Sequence, residues 1–310
     1  MEEILQNKLE FAVLIDSENI SSKYAAVIFD ELEKYGFASC RRIYGNWSRA
    51  TGWREEDLLE YSIIPIQQFS YTSKKNSTDM AMVIDAMDLL YKDKVDGFCL
   101  VTSDSDFTRL AMRIREEKKF VLGMGESKAP TSLTRSCNKF VYLNLIGEES
   151  HQQDFDHNDL ESVTPLDSVK KAIAALFAEK GSKVLDLGYI GQRLSEKFTD
   201  FDVRNYGYAK LSVFLKEEMS QYQVKRENNQ TVLREARQVS QDNLETEIKE
   251  MIRENGGSID NLSIINDEIG KRHPDLELKA FGYSRISSFL RRIKGLEVNN
   301  NSVSIKDKTE

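Results

Sequence analysis

The sequence predicts a three-layer α/β domain built on a parallel sheet, followed by two small α+β domains of winged-helix type. Three observations carry that reading. From Glu10 to about Leu145, short β-rich runs alternate with amphipathic stretches, the pattern of strands joined by crossover helices. Two of these runs, Phe11–Ile15 and Gly97–Thr102, are almost wholly apolar, as strands covered on both faces must be. Beyond Pro165, one apolar pattern occurs twice at a constant offset of 75 residues, which marks a single structural unit used twice.

Taken in order, Phe11–Ile15 is the first strand. A helix follows from about Ser22 to Tyr35, with Ile28, Phe29, Leu32 and Tyr35 on one side and Gly36 as its stop. Cys40–Tyr44 and Ile63–Phe69 read as the next strands. Between Ser77 and Tyr91, Met80, Val83, Ile84, Met87, Leu89 and Leu90 recur at helical spacing. Gly97–Thr102 is a central strand, and a helix runs from about Asp106 to Glu117. Phe120–Gly123 and Phe140–Leu143 close the sheet. From Gly147 to Pro165 the apolar periodicity vanishes and polar residues dominate, as in a linker.

In the repeat, Leu187, Ile190, Leu194, Gly207, Tyr208 and Phe214 recur as Leu262, Ile265, Ile269, Gly282, Tyr283 and Phe289. Each copy reads as helix, glycine-containing turn, helix and third helix, the last over about Tyr208–Glu217 and Tyr283–Arg292. A hairpin closes each: Tyr222–Arg226 turns at Asn228-Asn229 into Thr231–Leu233, and Leu296–Val298 turns at Asn299–Asn301 into Val303–Ile305. Three helices and a hairpin make the winged helix-turn-helix layout. The expected boundaries are a first domain over 1–146, a linker over 147–166, repeats over 167–234 and 243–307, and a second linker over 235–242.

Composition narrows the function classes. The chain has 310 residues, 40% of them apolar and 30% charged, which suits a globular protein and not a disordered one. No run approaches the roughly 20 apolar residues a membrane span needs, and the acidic start lacks the basic-then-apolar pattern of a secretory signal. Three widely spaced cysteines without a CxxC pair argue against a disulfide framework or a structural zinc site, and point to the reducing cytoplasm. Two of the three histidines lie in the linker and His273 in the second repeat, so a Ser-His-Asp or Cys-His scheme is excluded from the α/β domain. No Walker A loop is present, and no GxGxxG follows the first strand. The net charge of −8 gives no global attraction for nucleic acid, although a carboxylate site offset by cations and local basic patches are both compatible with it.

The candidate chemistry rests on four aspartates. Asp16 follows directly on the first buried strand, and in an open α/β sheet ligands sit at the carboxyl ends of the strands. Asp104 and Asp106 follow the Gly97–Thr102 strand in the same way, and Asp79 begins a helix. Each alone also reads as a helix cap or a dipole-favoured first-turn acid. Three separate segments delivering acids to one sheet edge are harder to explain by capping. Converged carboxylates repel unless something positive sits among them, and hard cations such as Mg²⁺ or Mn²⁺ suit oxygen donors. Asp85 lies six residues after Asp79, off its face, and is not part of the set.

These residues resemble a known family. Leu14-Ile15-Asp16-Ser17-Glu18-Asn19-Ile20, Ser77-Thr78-Asp79 and Ser103-Asp104-Ser105-Asp106-Phe107 together are similar to the NYN domain, a LabA-like branch of the PIN-like ribonucleases, over roughly Leu9–Leu145. Tyr206-Gly207-Tyr208-Ala209-Lys210-Leu211-Ser212 and Phe281-Gly282-Tyr283-Ser284-Arg285-Ile286-Ser287 resemble the LOTUS, or OST-HTH, domain. The resemblance implies Mg²⁺- or Mn²⁺-dependent endonucleolytic cleavage of RNA, with Asp16, Asp79, Asp104 and Asp106 as catalytic residues and metal ligands. It also implies RNA binding by the repeats, of G-rich or structured RNA. One departure is Asn138, which stands where the family leads us to expect an acid before the final strand's aromatic.

Candidate substrate contacts are Asn19, Ser77 and Ser103 in the matching stretches, Lys74 and Lys75 just before Asp79, Arg42, and Lys210 and Arg285 at the third helices. Arg41, Arg42 and Arg49 with Tyr44 and Trp47 mix cations and aromatics as single-strand binders do, or equally as solvated charge over a core. Asn19 also reads as an ordinary turn residue, and Tyr208 and Tyr283 as core. A winged helix can also bind protein, which leaves a catalytically weak or inactive RNA- or protein-binding adaptor as the alternative.

Overall fold

The structure, a computed structural model, describes residues 8–48, 52–69, 77–146, 162–227, 230–235, 241–273, 276 and 278–306. The chain divides into two compact units, Met1–Glu235 and Ala236–Glu310. The first opens with β1 (Leu9–Asp16), α1 (Ala25–Leu32), β2 (Gly36–Gly45), α2 (Glu55–Glu60), β3 (Ile64–Gln67) and α3 (Ser77–Tyr91). It continues with β4 (Gly97–Val101), α4 (Thr108–Glu116), β5 (Phe120–Gly125), α5 (Thr131–Ser136), β6 (Lys139–Tyr142) and α6 (Leu143–Ile146).

All six strands pair in parallel, in the order β3-β2-β1-β4-β5-β6. The run Phe11–Ile15 is apolar throughout because its side chains alternate between two cores. Ala12 and Leu14 face one with Phe98 and Leu100, while Phe11, Val13 and Ile15 face the other with Cys99 and Val101. Met82, Ala86 and Leu90 of α3, with Leu110, Ala111 and Ile114 of α4, cover the first face. Ile28, Phe29 and Leu32 of α1 cover the second. Strand order reverses between β1 and β4, so their carboxyl ends flank the crevice where such sheets take ligands.

Three local expectations need correction. Gly36 does not stop a helix; it opens β2, where an added Cβ would lie 1.9 Å from the Leu9 carbonyl oxygen. The helix before it is shorter, a 3₁₀ turn (Ser22–Tyr24) followed by α1. On α3 the buried stripe is Thr78, Met82, Ala86 and Leu90, four residues apart, whereas Met80 and Ile84 are 57% and 59% exposed. Apolar residues lie nearly all around this helix, so spacing alone does not fix its inner face.

The first repeat comprises α7 (Leu166–Lys180), β7 (Val184–Asp186), α8 (Leu187–Lys197), a 3₁₀ turn (Val203–Tyr206), α9 (Leu211–Glu218), β8 (Tyr222–Glu227) and β9 (Gln230–Glu235). The second unit holds its counterpart: α10 (Gln241–Glu254), β10 (Ser258–Ile259), α11 (Leu262–Arg272), a 3₁₀ turn (Leu278–Phe281), α12 (Ile286–Leu290), β11 (Leu296–Asn299) and β12 (Ser302–Ile305). Asp186 and Asn261, 75 residues apart, cap the second helix of each copy by accepting the Tyr189 and Ser263 N–H groups. Gly207 and Gly282 end the 3₁₀ turns at φ +81° and +80°, a conformation that favours glycine. Each hairpin gains a third short strand, giving β7-β9-β8 and β10-β12-β11, which sequence periodicity over two or three residues cannot reveal. The third helices begin later than expected, at Leu211 and Ile286. The turn Asn228-Asn229 and most of the stretch read as a linker, 147–161, lie outside the described residues.

Within the first unit the first repeat closes the edge of the sheet. A parallel sheet leaves backbone N–H groups unpaired along its outer strands. On β6 the Phe140 N–H donates to the Thr199 carbonyl (2.8 Å), the Lys139 ammonium to that of Phe201 (2.6 Å), and the Thr199 hydroxyl to that of Thr134 (3.0 Å). Arg204 donates to both oxygens of Glu31 on α1 (2.6 and 3.0 Å) and to Asp202 (2.6 Å). Val163 enters the sheet's core, and Tyr206 packs against both that core and the repeat's own. The second repeat carries Pro274 and Lys279 where the first has Thr199 and Arg204, so it lacks the hydroxyl and the guanidinium that make two of these contacts.

Burial alone would raise the Glu31 carboxyl, but the bonds from Arg204 and Lys34 outweigh it and hold it below its ordinary value. Burial also opposes ionisation of Asp202, and Arg204 again prevails. Arg204→Ala is therefore expected to destabilise the first unit by about 2 kcal/mol in chemical denaturation at neutral pH. Both carboxyls are depressed, so the difference is complete above their ordinary values of 4.5 and 3.8 and is lost as pH falls through the folded-state values. A variant as stable as wild type at pH 7 would show that the pair does not hold the repeat in place.

Candidate metal centre

The buried ends of β1 and β4 place acids side by side. Asp16, the last residue of β1, is 1% exposed. Its Oδ1 accepts the Glu18 N–H (3.0 Å), and its Oδ2 accepts the Asn19 amide (2.7 Å) and the Thr102 hydroxyl (2.9 Å). Thr102 stands just past β4, and its hydroxyl oxygen also accepts the Asp104 N–H (3.2 Å). Asp104 in turn caps the 3₁₀ turn Ser105–Phe107 by accepting the Asp106 N–H (3.0 Å). One threonine thus joins the acid of β1 to those that follow β4.

Asp79 enters from the first turn of α3. The preceding Thr78 is buried, and its hydroxyl donates to Glu18 (2.9 Å), tying the start of the helix to the turn after β1. The outcome is a trio: one carboxylate oxygen from each of Asp79, Asp104 and Asp106 lies within 4.8 Å of the others. Asp16 stands outside the trio.

The electrostatics follow from this crowding. Burial, and then the charges of Asp16, Asp104, Glu18 and Asp106, push the Asp79 carboxyl up to about 6, even though a helix's first turn favours an anion. Burial likewise raises Asp16 above its ordinary value, against the lowering effect of its hydrogen bonds. An all-oxygen set under mutual repulsion fits a hard divalent cation.

The other candidates fall in different places. Asn19 orients Asp16, and the buried Ser103 hydroxyl accepts the Glu126 N–H (2.9 Å). Ser77 is the first residue of α3; Lys74, Lys75 and Arg49 lie outside the described residues. Arg42 pairs with Asp85, which also accepts the hydroxyl of the fully buried Tyr44, so Tyr44 cannot stack a base. Trp47 donates its indole N–H to the Ile66 carbonyl (3.1 Å). Lys210 and Arg285 are exposed, immediately before α9 and α12. Tyr208 and Tyr283 pack edge-on against Phe214 and Phe289, as core residues.

The concern over Asn138 resolves differently. It precedes β6 at the amino-terminal rim of the sheet, bonded to the backbone of Val121, whereas the acids occupy the opposite rim. An acid at that position would not reach the trio. Sequence reasoning missed Glu18, Thr78 and Thr102. Glu18 had a signal, an acid two residues beyond Asp16 in the same turn; the two threonines had none, because their role exists only once β1, β4 and α3 meet.

The model of the NYN domain matches residues 10–144, and that of the OST-HTH/LOTUS domain matches 164–232 and 240–304. An uncharacterized protein of Methanocaldococcus jannaschii is 28% identical over 142 residues, covering 44% of this chain, and the match spans 55% of that relative's length. A solved structure of a protein of unknown function from Vibrio parahaemolyticus RIMD 2210633 aligns over 46% of this chain and 96% of its own, with 19% identity and a TM-score of 0.39.

The raised Asp79 carboxyl makes a stability prediction. Its folded value, about 6, lies above the ordinary 3.8, so ionisation weakens the fold as pH rises through that interval. In chelator, Asp79→Asn is expected to be more stable than wild type at pH 8, and the gain should vanish near pH 4. Denaturation curves at the two pH values measure this. An equal gain at both would mean that repulsion is not the cause.

Proposed function

Since the chain carries an NYN domain followed by two OST-HTH/LOTUS domains, we propose that it is a metal-dependent endoribonuclease that hydrolyses RNA phosphodiester bonds and holds RNA through its C-terminal modules. NYN domains are PIN-like nucleases, and OST-HTH domains point to RNA as the partner. No helix among the described residues is long and apolar enough to cross a membrane. The observation that carries the reading is the Asp79–Asp104–Asp106 trio at the switch point of the sheet.

Asp79, Asp104 and Asp106 would hold Mg²⁺ or Mn²⁺, with Asp16 directly behind them. When bound, such an ion supplies positive charge that polarises a phosphodiester and lowers the pKa of water. The chain's own side chains do the rest. Asp16 is locked by three hydrogen bonds, so through Thr102 it fixes where Asp104 stands. Glu18, through Thr78, fixes the first turn of α3 and with it Asp79. The trio is thereby presented by two backbone segments, the start of α3 and the turn after β4, both tied to the end of β1, which keeps reorganisation small when charge develops on the substrate.

Cleavage of labelled RNA is expected with Mn²⁺ or Mg²⁺ and not in chelator. Asp104→Asn is expected to reduce the rate at least about 100-fold. Asp16→Asn, which disturbs the support and not the trio, is expected to reduce it roughly 10- to 100-fold. Equal activity in wild type and Asp104→Asn would attribute the cleavage to a contaminant. RNA binding without any cleavage would identify an adaptor.

A further inference from the structure

The two repeats share a fold but not a surface. In the second, Arg285 precedes α12, Arg291 ends it, and Arg292 and Lys294 follow directly. Lys306 returns to the same place, its backbone N–H donating to the Gly295 carbonyl (2.9 Å). All five side chains belong to exposed residues, and no acid among the described residues pairs with any of them. α12 spans roughly 7.5 Å, so the cations at its two ends are close neighbours. Glu297 is the one acid between Ser284 and Lys306.

The matching face of the first repeat is neutralised. Lys216 stands where the second repeat has Arg291, but Glu217 replaces the cation of Arg292 and Glu218 follows it. Glu218 is held by Lys170 and by the Tyr208 hydroxyl, and Arg234 pairs with Glu227. The same repeat holds β6 through Thr199 and Phe201 and α1 through Arg204, and the second repeat lacks the Thr199 hydroxyl and the Arg204 guanidinium at the matching positions.

Unpaired like charges crowded around the two ends of a short helix repel and contribute nothing to packing. They are what a phosphate backbone neutralises, with release of its counterions. We propose that the repeats have divided their labour: the second grips the RNA backbone through Arg285, Arg291, Arg292, Lys294 and Lys306, and the first serves as a structural part of the nuclease unit. The proposal rests on the reading of this chain as an RNA-cleaving protein and assigns RNA binding to one of its two modules.

The test is binding of a labelled single-stranded RNA by the full chain in chelator, followed by fluorescence anisotropy across a salt series. Joint reversal of Arg291→Glu, Arg292→Glu and Lys294→Glu is expected to weaken binding about 10-fold or more and to make the dependence of log affinity on log salt shallower by about two units. Lys210→Glu with Lys216→Glu in the first repeat is expected to change affinity less than about twofold, because that face lacks a net cationic cluster. The milder pair Arg291→Gln and Arg292→Gln, which keeps side-chain bulk, must weaken binding in the same direction. An equal or larger loss from the first-repeat reversals, or no loss from the glutamine pair, overturns the division of labour while RNA binding stands. Absence of salt-dependent binding by the wild type overturns the RNA reading itself, and the proposal with it.

Discussion

Repulsion among carboxylates at the mouth of β1 and β4 is the constraint around which the first unit is organised. Four acids and Glu18 converge there, and Asp79 registers the cost directly in its raised carboxyl. Such an arrangement persists only if the backbone around it is over-determined. The strand bearing Asp16 is buried on both faces, it pairs with β2 on one side and β4 on the other, and the turn after it is tied by hydrogen bonds to α3 and to Thr102. Thr102 matters most in this network. Its single hydroxyl donates to Asp16 and accepts from the Asp104 backbone, so the two strands cannot shift their acids independently.

That rigidity requires a complete sheet, and the sheet is not complete on its own. β6 would leave its outer backbone groups and the flank of Phe140 and Tyr142 uncovered. The first repeat covers them with a peptide segment, the half-buried Tyr206 and a bidentate arginine–carboxylate pair. A domain-sized module is thus used as a structural cover for the nuclease layer. At the other edge, among the described residues, no segment pairs with the outer side of β3, and Ile64 there is 58% exposed. The asymmetry matches chain order: β6 is the last strand of the sheet, and the repeat is the next domain along the chain.

How much of this was legible in the sequence depended on the range of the interaction. β1 and β4 announced themselves because burial on both faces removes polar residues from a strand. The repeat showed at its 75-residue offset because two copies of one core must place apolar residues alike. The acids could be read because each follows a strand or opens a helix. The inner face of α3 could not, since Met80 and Ile84 are as apolar as the residues that became core. Gly36 looked like a helix stop because its reason, the close approach of the Leu9 backbone, belongs to a neighbouring strand. The Arg204–Glu31 pair joins residues 173 positions apart, and nothing local marks either as a partner. Asn138 misled for a related cause: motif spacing locates a residue along the chain but not at which rim of the sheet it emerges.

On the proposed function the net charge of −8 ceases to be a puzzle, because cutting and holding RNA place opposite demands on a surface. A pocket that gathers divalent cations must be negative, whereas a surface that grips phosphates must be positive. Within about 8–10 Å, the screening length at moderate salt, each field would weaken the other. Duplicating a small module relieves the conflict. One copy can give up its cations and be absorbed into the acidic unit, where extra positive charge near the trio would compete with bound metal. The other, in a compact unit of its own, is free to concentrate arginine and lysine around one short helix. The acidic balance of the whole chain therefore says little about its partner; what matters is where on each unit the cations gather.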